Sequence, residues 1–337
     1  MGRSIIKIDI FPHILPVKYK EALYRLAPSD FYIKDVIETL PTLYDLEHRF
    51  RIMDKFDGLR QILTLSSPPI EQIGDVKKAA DLARLANDEM AELVLKYPDR
   101  FMAAVAALPL NDMEAALKEL DRAITDLRFR GIQLNTPING KPLDSAEFLP
   151  LYEKMSQYNL PIWIHPVREA DHADYRTEKR SKYMIFHIFG WPYETAAAMT
   201  RLVFSGILEK YPNLKIITHH CGSMIPYLEQ RIIGAYDHAE ILRGAKYKQG
   251  LTKPPIDYFK IFYNDTAIYG STAGLMCAYA FCGADHLVFA TDFPYDSQFG
   301  ERYIRQTIES VEQMNISDLE KKKIFEGNAR RLLHLPI

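Results

Sequence analysis

The stretch VKKAADLARLANDEMAELVLKYPDRFMAAVAA, residues 76–107, joins a helical pattern to a strand pattern. Between residues 76 and 97 the apolar side chains recur every three or four positions, as on one face of an amphipathic helix. Residues 101–107 form a short apolar run typical of a buried strand, and a second such run, LRQILTL at 59–65, precedes the helix. The order of strand, helix and strand predicts a βαβ unit with parallel strands.

Six further runs with strand character continue this alternation along the chain. They are SIIKIDI (4–10), RGIQLN (130–135), PIWIH (161–165), LKIITH (214–219), KIFYN (260–264) and HLVFA (286–290). Eight strands that alternate with helices predict an α/β fold, and the number eight favours a closed (β/α)8 TIM barrel. We therefore predict a single barrel domain over residues 1–337.

Two connections are too long to be ordinary loops of such a barrel. Residues 15–57 follow the first strand, and residues 166–192, rich in charge and tyrosine, follow the fifth. Both leave the carboxyl ends of strands, where barrel active sites are built. They are interpreted as insertions that cover the site or form an oligomer contact.

The composition argues against several classes of binding partner. A net charge of −2 gives no basic surface for nucleic acid or an anionic membrane. The longest nearly apolar runs, such as residues 101–110, are too short to span a bilayer. The three cysteines lack the CxxC spacing of a zinc ribbon, and nothing resembles a signal peptide. We expect a cytoplasmic protein whose partner is a small molecule.

Polar residues with metal-binding chemistry fall at the carboxyl ends of the predicted strands. His13 follows the first strand, His165 the fifth, His219 and His220 the sixth, and Asp292 the eighth. Four of the ten histidines therefore lie where a barrel enzyme carries its site. Imidazoles with one carboxylate suit Zn²⁺ or another divalent metal, with a position left for water or substrate.

Four motifs at these strand ends carry a family resemblance. They are DIFPH (9–13), IHP (164–166), HHCGSMIPYLEQR (219–231) and ATDFPYD (290–296). In this order, over nearly the whole chain, the set resembles that of the amidohydrolase-related decarboxylases, which include aminocarboxymuconate semialdehyde decarboxylase and γ-resorcylate decarboxylase. The resemblance implies a lyase that removes CO₂ from an aromatic or conjugated carboxylic acid.

The resemblance also implies roles for individual residues. His13, His165 and Asp292 match the family's metal ligands, and His220, which opens its His-x-Gly-x-x-x-Pro run, matches its catalytic histidine. The family carries a second ligand two positions before His13, where this chain has Phe11. Phe11 is therefore expected to face the substrate cavity. Metal-free catalysis, with His220 and Asp292 transferring the proton, remains an alternative.

Three further assignments concern the substrate and the neighbouring histidine. In the aminocarboxymuconate enzymes an arginine precedes a run comparable to residues 45–50, but no arginine occurs here between residues 26 and 48. Arg168 is the proposed replacement for binding a substrate carboxylate, although its charged surroundings also suit a solvated insertion. His219 is expected to turn toward the barrel wall, while Asp265 either supports the site or makes a turn.

Other functions are compatible with the same residues. A hydrolase or hydratase would use His220 or Asp292 to activate water on a lactone, amide or ketoacid. A degenerate barrel that only binds a ligand is suggested by Phe11. The leading hypothesis remains a metal-assisted decarboxylase, acting on a small carboxylic acid and assembled as a homo-oligomer, expected to be a dimer.

Overall fold

The structure, a computed structural model, describes residues 5–28, 31 and 33–336. Its strands are β1 (Lys7–Asp9), β2 (His13–Ile14), β3 (Leu59–Leu65), β4 (Phe101–Ala104), β5 (Ile132–Thr136), β6 (Pro161–Pro166), β7 (Lys215–Thr218), β8 (Tyr263–Asp265) and β9 (Leu287–Val288). Each of the eight predicted strands is present, and a short additional strand, β2, follows the first. The predicted first strand starts at Ser4, which lies outside the described residues.

The strands close into a parallel barrel. β1 and β2 both pair with β3, β3 pairs with β4, and β5 to β9 pair in sequence order, all parallel. A bridge between Ala106 and Ile132 links β4 to β5. The amide of Ile10 donates to the carbonyl of Phe289 at 3.0 Å, which joins the first strand to the last. The predicted (β/α)8 TIM barrel is confirmed.

Helices connect the strands and form the outer layer. They are α1 (Val17–Leu26), α2 (Lys34–Thr39), α3 (Leu46–Met53), α4 (Val76–Lys96), α5 (Met113–Thr125), α6 (Leu149–Tyr158), α7 (Trp191–Phe204), α8 (Ile207–Lys210), α9 (Glu229–Arg243), α10 (Pro255–Phe259), α11 (Thr272–Cys282), α12 (Glu301–Glu312), α13 (Asp318–Lys322) and α14 (Asn328–Leu333). None of the described helices combines the length and apolar character that a membrane span needs.

Apolar side chains fill the barrel interior beneath the polar strand ends. The inner cluster draws on most of the strands and includes Ile8, Ile10, Ile62, Val105, Trp163, Ile217 and Val288. Trp163 also donates its indole N–H to the carbonyl of Ile10 at 2.9 Å, across the barrel. Phe11 belongs to this cluster. This packed interior keeps the carboxyl ends of the strands, the rim of the barrel, rigid. Side chains at the rim can therefore be held in a fixed geometry.

A buried arginine fastens the first strand to its neighbours. Arg49, in α3, is fully buried, and its Nη1 donates to the carbonyl of His13 at 2.8 Å. Its Nε donates to Gln61 Oε1 at 2.9 Å, and its guanidinium lies 4.5 Å from the ring centre of Phe293. A buried cation is tolerated only when such partners surround it. Arg49 thus fixes the backbone of His13, which lies at the polar strand ends.

We expect Arg49→Met to lower the free energy of unfolding by about 3–5 kcal/mol, because it leaves buried acceptors unpaired. Urea unfolding at neutral pH measures the change. Arg51→Met is the matched control, since Arg51 lies in the same helix in an exposed pair with Glu47 and should cost less than about 1 kcal/mol. Equal unfolding midpoints for the two variants would contradict the anchoring role.

Candidate active site

The histidines predicted at the strand ends converge on the carboxylate of Asp292. His13 Nε2 lies 3.2 Å and His219 Nε2 3.4 Å from Asp292 Oδ1. His220 Nε2 lies 3.7 Å from the other oxygen, Oδ2. The ring of His165 lies 5.2 Å from the rings of both His13 and His219, measured between centroids. Five side chains from the ends of four strands therefore form one buried cluster.

The cluster has the chemistry of a metal centre. The ligand atoms of His13, His165 and His219 all lie within 4.8 Å of one another, and so do those of His219, His220 and Asp292. Several of the ring nitrogens, among them His165 Nδ1 and His219 Nε2, are buried without a well-formed hydrogen bond to any described residue. Buried polar atoms normally have partners. Imidazole and carboxylate donors at this spacing fit a divalent transition metal.

Burial and charge set the protonation of the cluster. Burial lowers the pKa of His13 and His220, and that of His165 well below its usual value, which favours the neutral imidazoles that bind metals. Burial alone would raise the pKa of Asp292, but His13, His219 and His220 hold it well below its usual range. Asp292 is therefore a carboxylate near neutral pH.

His219 lies in a position that the sequence did not predict. Its Nδ1 hydrogen-bonds Asp265 Oδ2, and its ring stacks on Phe11 with centroids 4.1 Å apart. The expectation that it faces away from the site is wrong. That expectation relied on the alternation of side chains along a strand, but β7 ends at Thr218 and the alternation ends with it.

The carboxylates beside His219 favour a positive charge at its ring, which either a proton or a metal ion at Nε2 can supply. Burial alone would lower its pKa, but the carboxylates of Asp265 and Asp292 raise it to about 9. Asp265 is itself held by two backbone amides, accepting from Cys221 at 2.8 Å and Ala267 at 3.1 Å. Of the two roles considered for Asp265, the structure favours support of the site.

A cavity of about 630 Å³ opens onto the cluster, with His165 and Asp292 in its wall. Its other lining residues include Phe31, Ile33, Met184, Phe186, His187, Trp191, Tyr269, Tyr295 and Tyr303. Tyr269 donates its hydroxyl to Asp292 Oδ2 at 3.1 Å and stacks on Tyr303. A largely apolar, aromatic wall that includes the Asp292 carboxylate suits a small aromatic ligand.

Both long connections reach this cavity. Phe31 and Lys34 come from the segment after the first strand, and Met184 and Trp191 from the one after β6. Among the described lining residues Lys34 is the one lysine or arginine. The two segments therefore form part of the cavity wall, as expected of insertions that cover a site.

The two residues predicted to contact substrate, Phe11 and Arg168, do not line this cavity. Phe11 is fully buried, with its ring centroid 5.3 Å from that of His13 and 5.8 Å from that of His165. Arg168 pairs with Glu194, Nη1 to Oε1 at 2.6 Å, and lines a neighbouring cavity of about 590 Å³. The structure joins Phe11 to the cluster and does not bring Arg168 to it. Their contact with a substrate stays a prediction.

The chain is similar to known proteins over most of its length. Residues 45–335 match the sequence profile of a family described as amidohydrolase. A γ-resorcylate decarboxylase from Polaromonas sp. is 34% identical over 314 residues, which cover 90% of this chain and 91% of that protein. A 6-methylsalicylic acid decarboxylase from Penicillium expansum is 31% identical over 293 residues, covering 86% of this chain and 85% of that protein.

The similarity extends to solved structures. A dihydroxybenzoic acid decarboxylase from Polaromonas sp. JS666 was crystallised with manganese and the inhibitor 2-nitroresorcinol. Its fold matches this one with a TM-score of 0.80 at 30% identity, over 98% of this chain and 97% of that protein. The similarity therefore covers the whole barrel, including the strand ends that carry the cluster.

Proposed function

This chain belongs to the amidohydrolase family, and from that membership we propose that it is a metal-assisted, non-oxidative decarboxylase of an aromatic carboxylic acid. The observation that carries the proposal is the placement of Asp292, which contacts three imidazoles and lies in the wall of an aromatic cavity. The similar proteins named above are decarboxylases of hydroxylated or methylated benzoic acids. A substrate of that class matches the cavity in size and character.

The residues that would hold the metal include His13, His165 and Asp292. Their nitrogen and oxygen atoms suit zinc or another divalent metal, and a similar protein was crystallised with manganese. When bound, such a metal polarises substrate oxygens and offsets their negative charge. The aromatic residues around the cavity position the ring of the substrate and exclude water.

Proton transfer falls to Asp292 and His220. Decarboxylation of an aromatic acid requires a proton on the ring carbon that bears the carboxylate. The bond to the carboxylate then breaks, its electron pair restores the aromatic ring, and CO₂ leaves. Asp292 lies in the cavity wall, and His220 Nε2 is 3.7 Å from its Oδ2. This distance has to shorten to hydrogen-bond length before a proton passes between the two groups.

Removal and return of the metal test the proposal. We expect protein stripped with a chelator to release no CO₂ from a panel of hydroxybenzoates, and added Mn²⁺ or Zn²⁺ to restore release. The metal content of each sample, measured by elemental analysis, should rise together with activity. Full activity in protein shown to be metal-free would instead support proton transfer by His220 and Asp292 alone.

Two cations are candidates for the substrate carboxylate. Lys34 lines the cavity that opens onto the cluster, whereas Arg168 lines the neighbouring cavity. We expect Lys34→Met to raise KM about tenfold or more, because one hydrogen bond to a charged group is worth about 1.5–3 kcal/mol. Arg168→Met should change KM less than about threefold. The reverse outcome would establish the carboxylate contact predicted for Arg168.

Three finer assignments rest on the sequence alone. Zinc as the native metal, a dimeric assembly and a cytoplasmic location remain predictions. Metal analysis of protein purified without chelator addresses the first, and light scattering addresses the second.

A further inference from the structure

The two ring nitrogens of His219 have different partners: one hydrogen-bonds Asp265 and the other faces the cluster. Its Nδ1 hydrogen-bonds the carboxylate of Asp265, which fixes the proton on that side of the ring. Its Nε2 points toward Asp292 Oδ1 at 3.4 Å and has no well-formed hydrogen bond to any residue in the described part of the chain. A carboxylate behind a histidine is the arrangement that commonly orients a metal-binding imidazole.

The spacing of the donor atoms matches a metal site. In a tetrahedral zinc site with Zn–N bonds of about 2.0–2.1 Å, neighbouring ligand atoms lie about 3.3–3.4 Å apart. Asp292 Oδ1 lies 3.2 Å from His13 Nε2 and 3.4 Å from His219 Nε2. The ligand atoms of His13, His165 and His219 also fall within 4.8 Å of one another. His219 thus offers a donor atom within 4.8 Å of donor atoms from His13, His165 and Asp292.

The ring of Phe11 packs against the face of the His219 imidazole. Its fully buried ring stacks on His219 at 4.1 Å and also lies close to the rings of His13 and His165. A phenyl ring offers no donor atom, so it limits the motion of His219 without competing for a metal. The position two residues before His13 therefore supports a ligand and does not act as one.

We propose that His219 is the third imidazole ligand of the divalent metal, completing a set with His13, His165 and Asp292, and that Asp265 is its positioning residue. The inference rests on the proposed metal-assisted function. It differs from that proposal in assigning a ligand to the loop after β7, beside the histidine assigned to proton transfer.

Metal affinity of the full-length protein tests the assignment. Chelator-stripped protein is titrated with Zn²⁺ against a competing chromophoric chelator, and the melting temperature is recorded with and without Zn²⁺. His219→Gln should weaken Zn²⁺ binding at least about 100-fold and reduce the metal-induced rise in melting temperature. Asp265→Asn should weaken binding about 10- to 100-fold, as expected for a residue that orients a ligand. The visible absorption of the Co²⁺-loaded protein should also change in His219→Gln.

His220→Gln is the matched control, because it replaces the adjacent buried histidine. Its Zn²⁺ affinity should stay within about threefold of the wild-type value. Wild-type affinity in His219→Gln, with an unchanged Co²⁺ spectrum, would overturn the inference and leave the proposed function standing, since the metal would then be held without His219. Loss of affinity in His220→Gln alone would also overturn it. Wild-type protein that binds no divalent metal would contradict both proposals.

Discussion

We expect Asp292→Asn to lower kcat for decarboxylation by roughly 10²–10⁴-fold, the range typical of removing a group that takes part in proton transfer. Four side chains contact this carboxylate, His13 and His219 at Oδ1 and His220 and Tyr269 at Oδ2. The amide of asparagine has nearly the shape of the Asp292 carboxylate but carries no negative charge. It also places an NH₂ group, a donor, where one of these partners meets an acceptor oxygen. Initial rates at saturating substrate and metal measure the loss.

Asp296→Asn provides the control for this variant. Asp296 is also buried, a few residues farther along the same segment, but its oxygens accept from the backbone amides of Gln298 and Tyr303. Its kcat should remain within about tenfold of wild type. If Asp292→Asn retains a kcat within tenfold of wild type after metal loading, then Asp292 neither transfers the proton nor holds an essential metal.

The second large effect is expected for His220→Gln, with kcat lowered at least roughly 10²-fold while metal content is unchanged. His220 contacts the oxygen of Asp292 opposite the one that faces His13 and His219. Its removal should therefore block proton transfer and leave the metal donors in place. Rates and metal content are measured on the same samples.

His286→Gln is the matched control for a generic histidine effect. His286 is partly buried, stacks on Tyr263 and lies near the carbonyl of Phe262 at 3.2 Å, outside the cluster. Its kcat should stay near the wild-type value. A similar loss in both variants would mean that the effect of His220→Gln reflects stability and not chemistry.

The sequence predicted the barrel because its strands and helices carry their periodicity locally. The run at residues 161–165 becomes β6 and ends in His165, and the run at 286–290 leads to Asp292. In a parallel barrel all carboxyl strand ends meet at one rim, so residues far apart in sequence could be placed together. The family resemblance is confirmed by the profile match over residues 45–335 and by the similar decarboxylases, which cover 90% or more of the chain.

The contacts that the sequence did not predict depend on loops and on long-range partners. His219 follows the last residue of β7, where strand alternation no longer fixes the direction of a side chain. Tyr269 and Lys34 lie in connections whose path over the rim has no periodic pattern. Arg168 pairs with Glu194, 26 residues farther along, and nothing local to either residue specifies that choice.

Release of CO₂ in isotopically labelled water tests the central claim most directly. The metal-loaded protein is incubated with γ-resorcylate and other hydroxybenzoates in D₂O enriched in H₂¹⁸O, and gas and product are analysed by mass spectrometry. We predict CO₂ and a phenol in equal amounts, with one deuterium on the carbon that carried the carboxylate and no ¹⁸O in the phenol. Folded, metal-loaded protein that releases no CO₂ from any of these acids, or a product that gains ¹⁸O from water, would contradict a decarboxylase and favour a hydrolase or hydratase.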